Sequence, residues 1–397
     1  MEEWREAIYA KIGETVEAHL IADVPVGAFL SGGVDSSVIV ATAATRAEGR
    51  LQTFSIGFNE EKFSELPYAA EVAAAFGTEH RTEIATPDAA ALIDLLVHHY
   101  DEPFADSSAI PTLMVARLAS RSVKVALSGD GGDEAFGGYP RYADDLKEAR
   151  LRRWLPPWVR SDVLGPLAGV WPKADWLPRP LRAKTLLTNL SLGPADAYAN
   201  SSSICRPPLR RQLMAPHLLN RLNGHLVSRV FREAHDTAPA DDALAGMIAA
   251  DVAVRLPDDY LVEVDRASMA FGLEVRPPLL DHELLEMTAR IPSRLKIRDG
   301  ETKWVFKDTY RERLPSLVTA RRKQGFEIPL DAWMRGPLRG MFEDLVLGAH
   351  QPVAGLVDQA TARRVYRSHL AGTGRHGSVL WSLLILAQWA NRYRPAV

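Results

Sequence analysis

The chain has 397 residues, of which 47 are Lys or Arg and 50 are Asp or Glu, so its formal net charge of −3 favours no polyanionic partner. Its single cysteine, Cys205, excludes an internal disulfide and a cysteine-based zinc site. The acidic N-terminal stretch lacks the features of a signal peptide, and the apolar stretch 379–389 is too short to span a bilayer, so we expect a cytoplasmic protein without a membrane segment.

Apolar periodicity predicts alternating helices and strands along residues 1–140. Ile8, Ile12 and Val16 recur at helical spacing and predict a helix over 2–22. Short apolar runs predict strands, and the segments between them predict helices. The strands are 24–30, 51–57, 79–85 and 123–127, and the helices are 36–46, 65–76 and 89–100. This alternation is typical of an α/β fold with a doubly wound parallel sheet.

The remainder of the chain predicts a largely helical C-terminal part. We divide the sequence into an α/β nucleotide-binding domain at 1–145, a Pro- and Trp-rich basic helical insertion at 146–235 and a helical part at 236–397 that completes the site. No strand is predicted in 211–397. Segment 141–230 contains 15 Lys and Arg against 6 Asp and Glu. It is either a solvated helical surface or a docking face for an acidic partner or nucleic acid, and both interpretations stay open.

A serine- and glycine-rich loop follows the first predicted strand. It runs from Ser31 to Ser37 with the sequence SGGVDSS, directly before a predicted helix. Its glycines let the backbone approach an anion, and the helix directs its free N–H groups toward that anion. No lysine follows the glycines, which excludes a Walker A loop, and the dinucleotide pattern G-x-G-x-x-G is absent. The pattern predicts a phosphate site; the alternative is a serine-capped turn.

A second loop, 128–134 with the sequence SGDGGDE, follows the fourth predicted strand. Three acidic residues lie in this glycine-rich turn, Asp130, Asp133 and Glu134. Carboxylates beside a phosphate site repel the ligand unless a cation intervenes, and Mg²⁺ commonly binds one or two carboxylates together with phosphate oxygens. The sequence therefore predicts a magnesium site; the alternative is a surface loop that caps a helix.

These loops and four further motifs resemble the class B, glutamine-dependent asparagine synthetases. The resemblance extends from about residue 20 to residue 335, in the order DVPVGAFLSGGVDSS, TFSIGF, LSGDGGDEAFGGY, DDYLVEVDRASMAFGLEVRPPLLD, TKWVFK and RRKQGFEIPL. It implies a PP-loop ATP pyrophosphatase fold, similar to adenine nucleotide alpha-hydrolases. It also implies a carbon–nitrogen ligase that uses ATP and Mg²⁺ to adenylate aspartate and then transfers ammonia, giving asparagine and AMP.

The resemblance assigns roles to individual residues. Asp130 and Lys303 are implied to be catalytic, and Asp35 and Asp133 to bind the metal. Lys307 stands where the family pattern has an arginine. The residues implied to bind ATP are Leu30, Ser31, Gly32, Gly33, Asp35, Ser36, Ser37, Ile56, Ser128 and Gly129. Those implied to contact substrate are Asp259, Asp265 and Arg266, within a run up to Arg276, and Arg321, Arg322 and Lys323 match a basic turn near the phosphates.

The family also carries an N-terminal glutaminase domain whose nucleophile is a cysteine exposed after removal of the initiator Met. Here residue 2 is Glu2 and the single cysteine is Cys205, so we expect ammonia to come from solution or from a separate or excised glutaminase. A homodimer stays open, whereas no membrane or nucleic-acid partner is implied.

Several alternatives to asparagine synthesis remain. Lasso-peptide cyclases, sugar-acid amidotransferases and β-lactam synthetases apply the same chemistry to other carboxylates, although lactam-forming enzymes usually have a tyrosine at the position of Asp130. A tRNA-modifying PP-loop enzyme would suit the basic segment but usually needs paired cysteines. A non-catalytic ATP-binding subunit is disfavoured by the intact Asp35, Asp133 and Lys303.

Overall fold

The computed structural model describes residues 1–60, 62–85, 89–171, 183–321, 328–348 and 352–394. Within these ranges, five strands form one parallel sheet in the order β3-β2-β1-β4-β5. The strands are β1 (Val26–Phe29), β2 (Gln52–Phe58), β3 (Glu79–Ala85), β4 (Val125–Leu127) and β5 (Glu274–Arg276).

Helices make up most of the remaining described structure. In chain order they are α1 (Glu2–Leu20), α2 (Val34–Ala44), α3 (Leu66–Ala75), α4 (Ala89–Tyr100), α5 (Ala109–Ser120), α6 (Gly132–Phe136), α7 (Pro140–Trp154), α8 (Gly165–Val170), α9 (Lys184–Ser191), α10 (Pro194–Ser202), α11 (Pro207–Leu213), α12 (Pro216–Arg221), α13 (Ser228–Thr237), α14 (Ala243–Ala250), α15 (Val262–Met269), α16 (His282–Ala289), α17 (Ser293–Lys296), α18 (Trp304–Tyr310), α19 (Ser316–Ala320), α20 (Leu330–Arg335), α21 (Arg339–Leu347), α22 (Gln359–Leu370) and α23 (Gly377–Tyr393). Val159–Leu164 and Asp251–Leu261 are π-helical, and Pro278–Leu280 is a 3-10 turn.

The chain divides into two compact units, each assembled from separate stretches of sequence. The sheet unit comprises Met1–Thr86, Ser108–Ala143 and Asp251–Ile328, and the helical unit comprises Pro87–Ser107, Asp144–Ala250 and Pro329–Val397. This division differs from the three consecutive segments predicted, 1–145, 146–235 and 236–397. The physical reason is that the chain returns to the sheet late, where β5 pairs with β4 through the register Ala126 to Val275.

The sheet unit confirms the predicted alternation and adds elements that the prediction lacked. Ile8, Ile12 and Val16 are fully buried on one face of α1, where they join the same apolar core as α2. Strands β1 to β4 and helices α2 to α4 lie at their predicted positions within a few residues. The expectation of no strand after residue 211 is wrong, because Glu274–Arg276 forms β5. Helix α5 was also not predicted.

The helical unit is organised around α23 and a buried polar network. Helix α23 packs against α4, α20 and α21, as expected for the apolar stretch 379–389. In the network, Asn189 Nδ2 donates to Glu148 Oε2 at 2.8 Å and to Ser201 Oγ at 2.9 Å, while Asn200 donates to Asn189 Oδ1 at 2.7 Å. None of the described helices is both long and apolar enough to cross a bilayer.

Candidate active site

The Ser31–Ser37 loop connects the end of β1 to the start of α2. Leu30 N–H donates to the Phe54 carbonyl of β2 at 2.9 Å, which anchors the start of the loop to the sheet. Gly32 has φ +71°, a backbone conformation that glycine adopts without strain. The Ser31 and Ser36 hydroxyls are 3.0 Å apart, and Gly33 N–H donates to Ser31 Oγ at 3.2 Å. The loop is therefore held by its own serines at the carboxyl edge of the sheet.

The second loop, 128–134, packs directly against the first. Ser128 N–H donates to the Arg276 carbonyl at 2.9 Å, so β5 holds the start of this loop. A Cβ on Gly129 would lie 2.7 Å from the Ser36 backbone nitrogen, and a Cβ on Gly132 would overlap the Asp35 carboxylate. A side chain at Gly129 would require the backbone of α2 to shift, and one at Gly132 would displace the Asp35 carboxylate. The loops thus meet with no space for a larger residue between them.

Lys303 joins the two loops. Its Nζ lies 2.5 Å from Asp35 Oδ1 and 2.6 Å from Asp133 Oδ1, and the lysine is only 3% exposed. Asp35 comes from the first turn of α2 and Asp133 from α6, while Lys303 caps the N-terminus of α18. A Cβ on Gly138 would overlap both Asp133 Oδ1 and Lys303 Cε. The structure therefore brings together three residues to which the family resemblance had assigned roles, without indicating that they are in contact.

Lys303 adopts an uncommon backbone conformation. Its φ and ψ are +55° and +32°, in the left-handed region that non-glycine residues rarely adopt. Such a conformation costs on the order of 1–2 kcal/mol and persists only where the surroundings enforce it. Here the side chain is buried between two carboxylates. The ion pairs and the backbone conformation both hold the ammonium at one place.

Two buried hydroxyls at these loops have no hydrogen-bond partner within the described part of the chain, Ser37 Oγ and Ser128 Oγ. Ser37 is fully buried and Ser128 is 3% exposed. A buried hydroxyl without a hydrogen-bond partner costs free energy. A polar ligand bound between the two loops would give both hydroxyls a partner and would explain why they are buried there. Both residues belong to the predicted ATP-binding set.

Glu134 follows Asp133 and is nearly fully buried. The Tyr139 hydroxyl donates to Glu134 Oε1 at 2.6 Å, and the Tyr139 ring stacks against Tyr260 at a centroid distance of 5.9 Å. Burial, followed by the negative charge of Asp133, raises the pKa of Glu134 to about 7. The family resemblance assigned no individual role to Glu134, although its position directly after Asp133 was an available signal.

The remaining residues predicted to contact ATP or ammonia lie on or beside the same loops. Leu30 and Ile56 are buried, at the end of β1 and within β2. Asp130 is half-buried and precedes Gly131, which has φ +88°. The structure thus places Asp130 in the loop that also supplies Asp133.

The predicted substrate residues lie in the π-helical segment Asp251–Leu261 and in α15. Asp265 and Arg266 are exposed on α15, whose buried residues are Glu263, Ala267 and Ser268. Asp259 lies 3.4 Å from Arg255 in an ion pair.

Arg276 ends the run that was predicted to form one wall of the site, whereas Arg322 and Lys323 belong to the predicted basic turn near the phosphates. Arg276, at the end of the same run, donates to the carbonyls of His19 and Ile21 and so caps the end of α1. Arg322 and Lys323 lie outside the described residues.

The carboxylate pair is suited to magnesium. Each of Asp35 and Asp133 lies within 2.6 Å of one cation, the Lys303 ammonium, so the two carboxylates face a common point. No group of three or more His, Cys, Asp or Glu side chains that could hold a metal occurs in the described ranges. Mg²⁺ does not require such a group, because it usually binds one or two carboxylates and takes its other ligands from water and substrate phosphates. Asp35 and Asp133 could therefore hold it.

Comparison with known proteins identifies the family of this chain. A family model described as asparagine synthase matches residues 7–391. The chain belongs to the asparagine synthase family. It is 30% identical to asparagine synthetase [glutamine-hydrolyzing] 1 of Bacillus subtilis strain 168, over 100% of this chain and 60% of that protein. It is 34% identical to a putative asparagine synthetase [glutamine-hydrolyzing] of Mycobacterium tuberculosis strain H37Rv, over 97% of this chain and 57% of that protein.

More distant relatives carry another name. The chain is 23% identical to amidase chyE of Penicillium rubens, over 90% of this chain and 57% of that protein. This chain therefore spans about 60% or less of the length of each of these three relatives. The family model covers both the Ser31–Ser37 loop and Lys303, so the family assignment includes the residues that meet at the candidate site.

Proposed function

We propose that the sheet unit is a PP-loop ATP pyrophosphatase that adenylates the side-chain carboxylate of aspartate and transfers it to ammonia. The observation that carries the proposal is the convergence of Asp35, Asp133 and Lys303, within 2.6 Å, where two glycine-rich loops meet. Family membership and the names of the relatives in Bacillus and Mycobacterium support the reaction class, a carbon–nitrogen ligase.

In the first step, the aspartate carboxylate oxygen attacks the α-phosphorus of ATP. The bond from that phosphorus to the α,β-bridging oxygen breaks, and pyrophosphate leaves. The backbone N–H groups of the Ser31–Ser37 loop and its serine hydroxyls would bind the phosphates, and Ser128 would lie beside the adenosine. Magnesium bound to Asp35 and Asp133 would supply charge neutralisation of the phosphates.

Lys303 is suited to stabilise the negative charge that develops on the leaving pyrophosphate. An ammonium held rigidly in a buried site stabilises a transition state without the cost of reorienting at the moment of reaction. The left-handed backbone of Lys303 and the burial of its side chain would provide this rigidity when the two carboxylates bind magnesium. Catalysis would then come mainly from positioning and electrostatics.

In the second step, ammonia attacks the acyl carbon of the aspartyl adenylate. The bond from that carbon to the AMP oxygen breaks, and one proton leaves the attacking nitrogen. Asp130 would accept this proton, because it lies in the same loop as Asp133 and is half-buried, so a carboxylate is available beside the site. The products are asparagine and AMP.

The experiment is ATP-dependent pyrophosphate release by the purified chain with aspartate, ammonium and Mg²⁺, with asparagine and AMP measured separately. Release of pyrophosphate together with equal amounts of asparagine and AMP is expected. Pyrophosphate release with another acid but not with aspartate would move the proposal to a related ligase, such as a lasso-peptide cyclase or a sugar-acid amidotransferase. No release with any acid would remove the enzymatic proposal.

A second arm of the same assay tests the nitrogen donor. The only thiol of the 397 residues is Cys205, which lies in the helical unit between α10 and α11. We expect ammonium to support synthesis and glutamine not to do so when this chain is assayed alone. Glutamate production from glutamine by the purified chain would contradict this part of the proposal.

A further inference from the structure

A buried ion pair that the proposed mechanism does not use lies beside the Ser31–Ser37 loop. Arg321 Nη2 lies 2.7 Å from Glu65 Oε1, and the two side chains are 10% and 8% exposed. Glu65 precedes α3, and Arg321 follows α19. The pair therefore connects two elements that flank the loop from distant parts of the sequence.

The same arginine packs on a tyrosine of α3. The guanidinium carbon of Arg321 lies 4.1 Å from the centre of the Tyr68 ring, a favourable cation–π arrangement. The backbone N–H groups of Tyr68 and Ala69 both donate to the Glu65 carbonyl at 3.1 Å, so Glu65 also begins the helix. Glu65, Tyr68 and Arg321 are thus joined by an ion pair and a cation–π contact, and we call these three residues the clamp.

Tyr68 of the clamp packs directly against Gly32. A Cβ on Gly32 would lie 2.5 Å from Tyr68 Cβ and 2.6 Å from Ala69 N, so the first turn of α3 is in close contact with the loop backbone. Gly32 has φ +71° at the turn that begins the phosphate site. A shift of α3 away from this position would remove the support on one side of that turn.

The other end of the clamp is fixed by the core. Val318 of α19 is fully buried in the apolar cluster that also contains α2 residues, and α19 packs against α2. Arg321 therefore contacts α3 from the end of α19, and α19 is anchored to α2, the helix that follows the loop. The Ser31–Ser37 loop is consequently held between α2 and α3, with α19 and Arg321 linking the two.

We propose that the Glu65–Arg321 pair is a positioning device that holds the Ser31–Ser37 loop in its phosphate-binding conformation through Tyr68. Buried ion pairs contribute little to net stability compared with well-packed apolar groups, so their value here lies in fixing one arrangement. This inference rests on the proposed function, since it assigns the loop to ATP. It also changes the role of Arg321, which the resemblance had placed in a basic turn near the phosphates.

The first experiment compares MgATP binding to the full chain by isothermal titration calorimetry for Arg321→Met, Glu65→Gln and the double variant. The clamp predicts that both single variants raise the Kd for MgATP, by on the order of tenfold, as expected when a binding group is misplaced rather than removed. The double variant should regain melting temperature, because no buried charge is left unpaired, but should not regain affinity.

A direct phosphate contact by Arg321 gives a different pattern. If Arg321 bound ATP itself, Arg321→Met would weaken binding whereas Glu65→Gln would leave it unchanged, and that result would overturn the clamp. Lower melting temperatures with an unchanged Kd in both single variants would also overturn it, because the pair would then be merely structural. If a single variant does not fold, Arg321→Lys and the double variant decide between the same outcomes.

Arg313 offers a matched control. Its guanidinium carbon lies 4.3 Å from the centre of the Tyr9 ring, a stacking contact comparable to that of Arg321 on Tyr68. Arg313→Met should leave the Kd for MgATP within about twofold, as expected for a surface substitution.

A second measurement is independent of nucleotide. Amide hydrogen exchange of residues 31–37 should be faster in Arg321→Met and Glu65→Gln than in the unchanged chain, and equal in Arg313→Met. Unchanged exchange in the clamp variants would overturn the inference. If the unchanged chain binds no MgATP, the proposed function fails, whereas hydrogen exchange still decides whether the clamp holds the loop.

Discussion

The Lys303 ammonium lies 2.5 Å from Asp35 Oδ1, although the two residues are 268 positions apart in the sequence. Asp35 comes from the turn after the first strand, and Lys303 comes from the start of a late helix. This contact brings the stretch after residue 251 into the site that begins with the Ser31–Ser37 loop. Substitution of Lys303 can separate the contribution of this ion pair to stability from its contribution to catalysis.

Replacement of Lys303 by alanine should reduce pyrophosphate release by about 100-fold or more, comparable to the loss of one preorganised charge-stabilising group. The Kd for MgATP should change much less, because a group that acts mainly in the transition state raises turnover rather than affinity. Rates should be normalised to folded protein by circular dichroism, since the substitution leaves two carboxylates facing each other. A loss below about fivefold would remove Lys303 from the mechanism.

Lys307→Ala is the matched control on the same helix. Lys307 Nζ pairs with Glu301 at 3.2 Å, and Glu301 is substantially exposed. Such pairs contribute about 0–1 kcal/mol, so we expect nearly unchanged activity. A larger loss in Lys307→Ala than in Lys303→Ala would transfer the catalytic assignment to Lys307.

Replacement of either metal-binding candidate by its amide should abolish most activity and preserve the fold. Asp35→Asn and Asp133→Asn keep the side-chain shape but remove the charge that Mg²⁺ requires. We expect pyrophosphate release to fall by about 100-fold or more in each, with a higher Mg²⁺ concentration needed for half-maximal rate. Asp299→Asn is the control, because Asp299 is 94% exposed. Full activity of both variants would exclude a shared metal site.

The sequence was sufficient to predict β1 to β4 and the two glycine-rich loops, because each has a strong local pattern. It was not sufficient for β5, since the three residues Glu274–Arg276 show no strand periodicity and pair only after the chain returns to β4. The ion pair between Lys303 and Asp133 likewise depends on tertiary structure and could not be predicted from local sequence. The family resemblance implied a role for each residue but not their contact.

The predicted substrate residues also show what local sequence does not determine. Local sequence places Asp265 and Arg266 on a helix, but only packing decides which face of α15 is buried, and that face carries Glu263 instead. Glu263 accepts hydrogen bonds from Ser108 and Thr112 at 2.7 Å each, a network that no short motif revealed. The assignment of Asp265 and Arg266 to substrate stays a prediction.

Gly138→Ala should inactivate the site without altering any charged residue. The new Cβ would overlap Asp133 Oδ1 and Lys303 Cε, so either the ion pair or the backbone must move. Misplacement of catalytic groups by about 1 Å is enough to cost on the order of 100-fold in rate. The measurement is pyrophosphate release, with a Mg²⁺ titration to detect displacement of Asp133.

Gly340→Ala provides the control for Gly138→Ala. Gly340 lies in α21, and a Cβ there would meet no atom within 4 Å. Alanine favours helix over glycine by about 1 kcal/mol, so this variant should be at least as stable and as active as the unchanged chain. Normal activity of Gly138→Ala would show that the three charged groups tolerate rearrangement and would weaken the proposed mechanism.

The stability of the helical unit should fall in mild acid because of His369, which is fully buried in α22. His376 N–H donates to His369 Nδ1 at 3.3 Å, and the other ring nitrogen lies 3.3 Å from the Asp331 carbonyl, which fits a neutral ring with its proton on Nε2. Burial, followed by the positive charge of Arg335, lowers the pKa of His369 below its usual 6.5. The unfolded chain therefore binds this proton more readily than the folded chain. Stability is fully present above pH 6.5 and is lost as the pH falls through that value toward the lower folded pKa.

His369→Gln should accordingly reduce the fall in melting temperature between about pH 7.5 and about pH 5.5, because glutamine cannot take up the proton. Burial also lowers the pKa of His80 and His99, so part of the pH dependence should remain. His282→Gln is the control, since it replaces a histidine that is exposed on α16. The measurement is differential scanning calorimetry of each variant at both pH values. An unchanged pH dependence in His369→Gln would show that the ring is not held neutral by its burial.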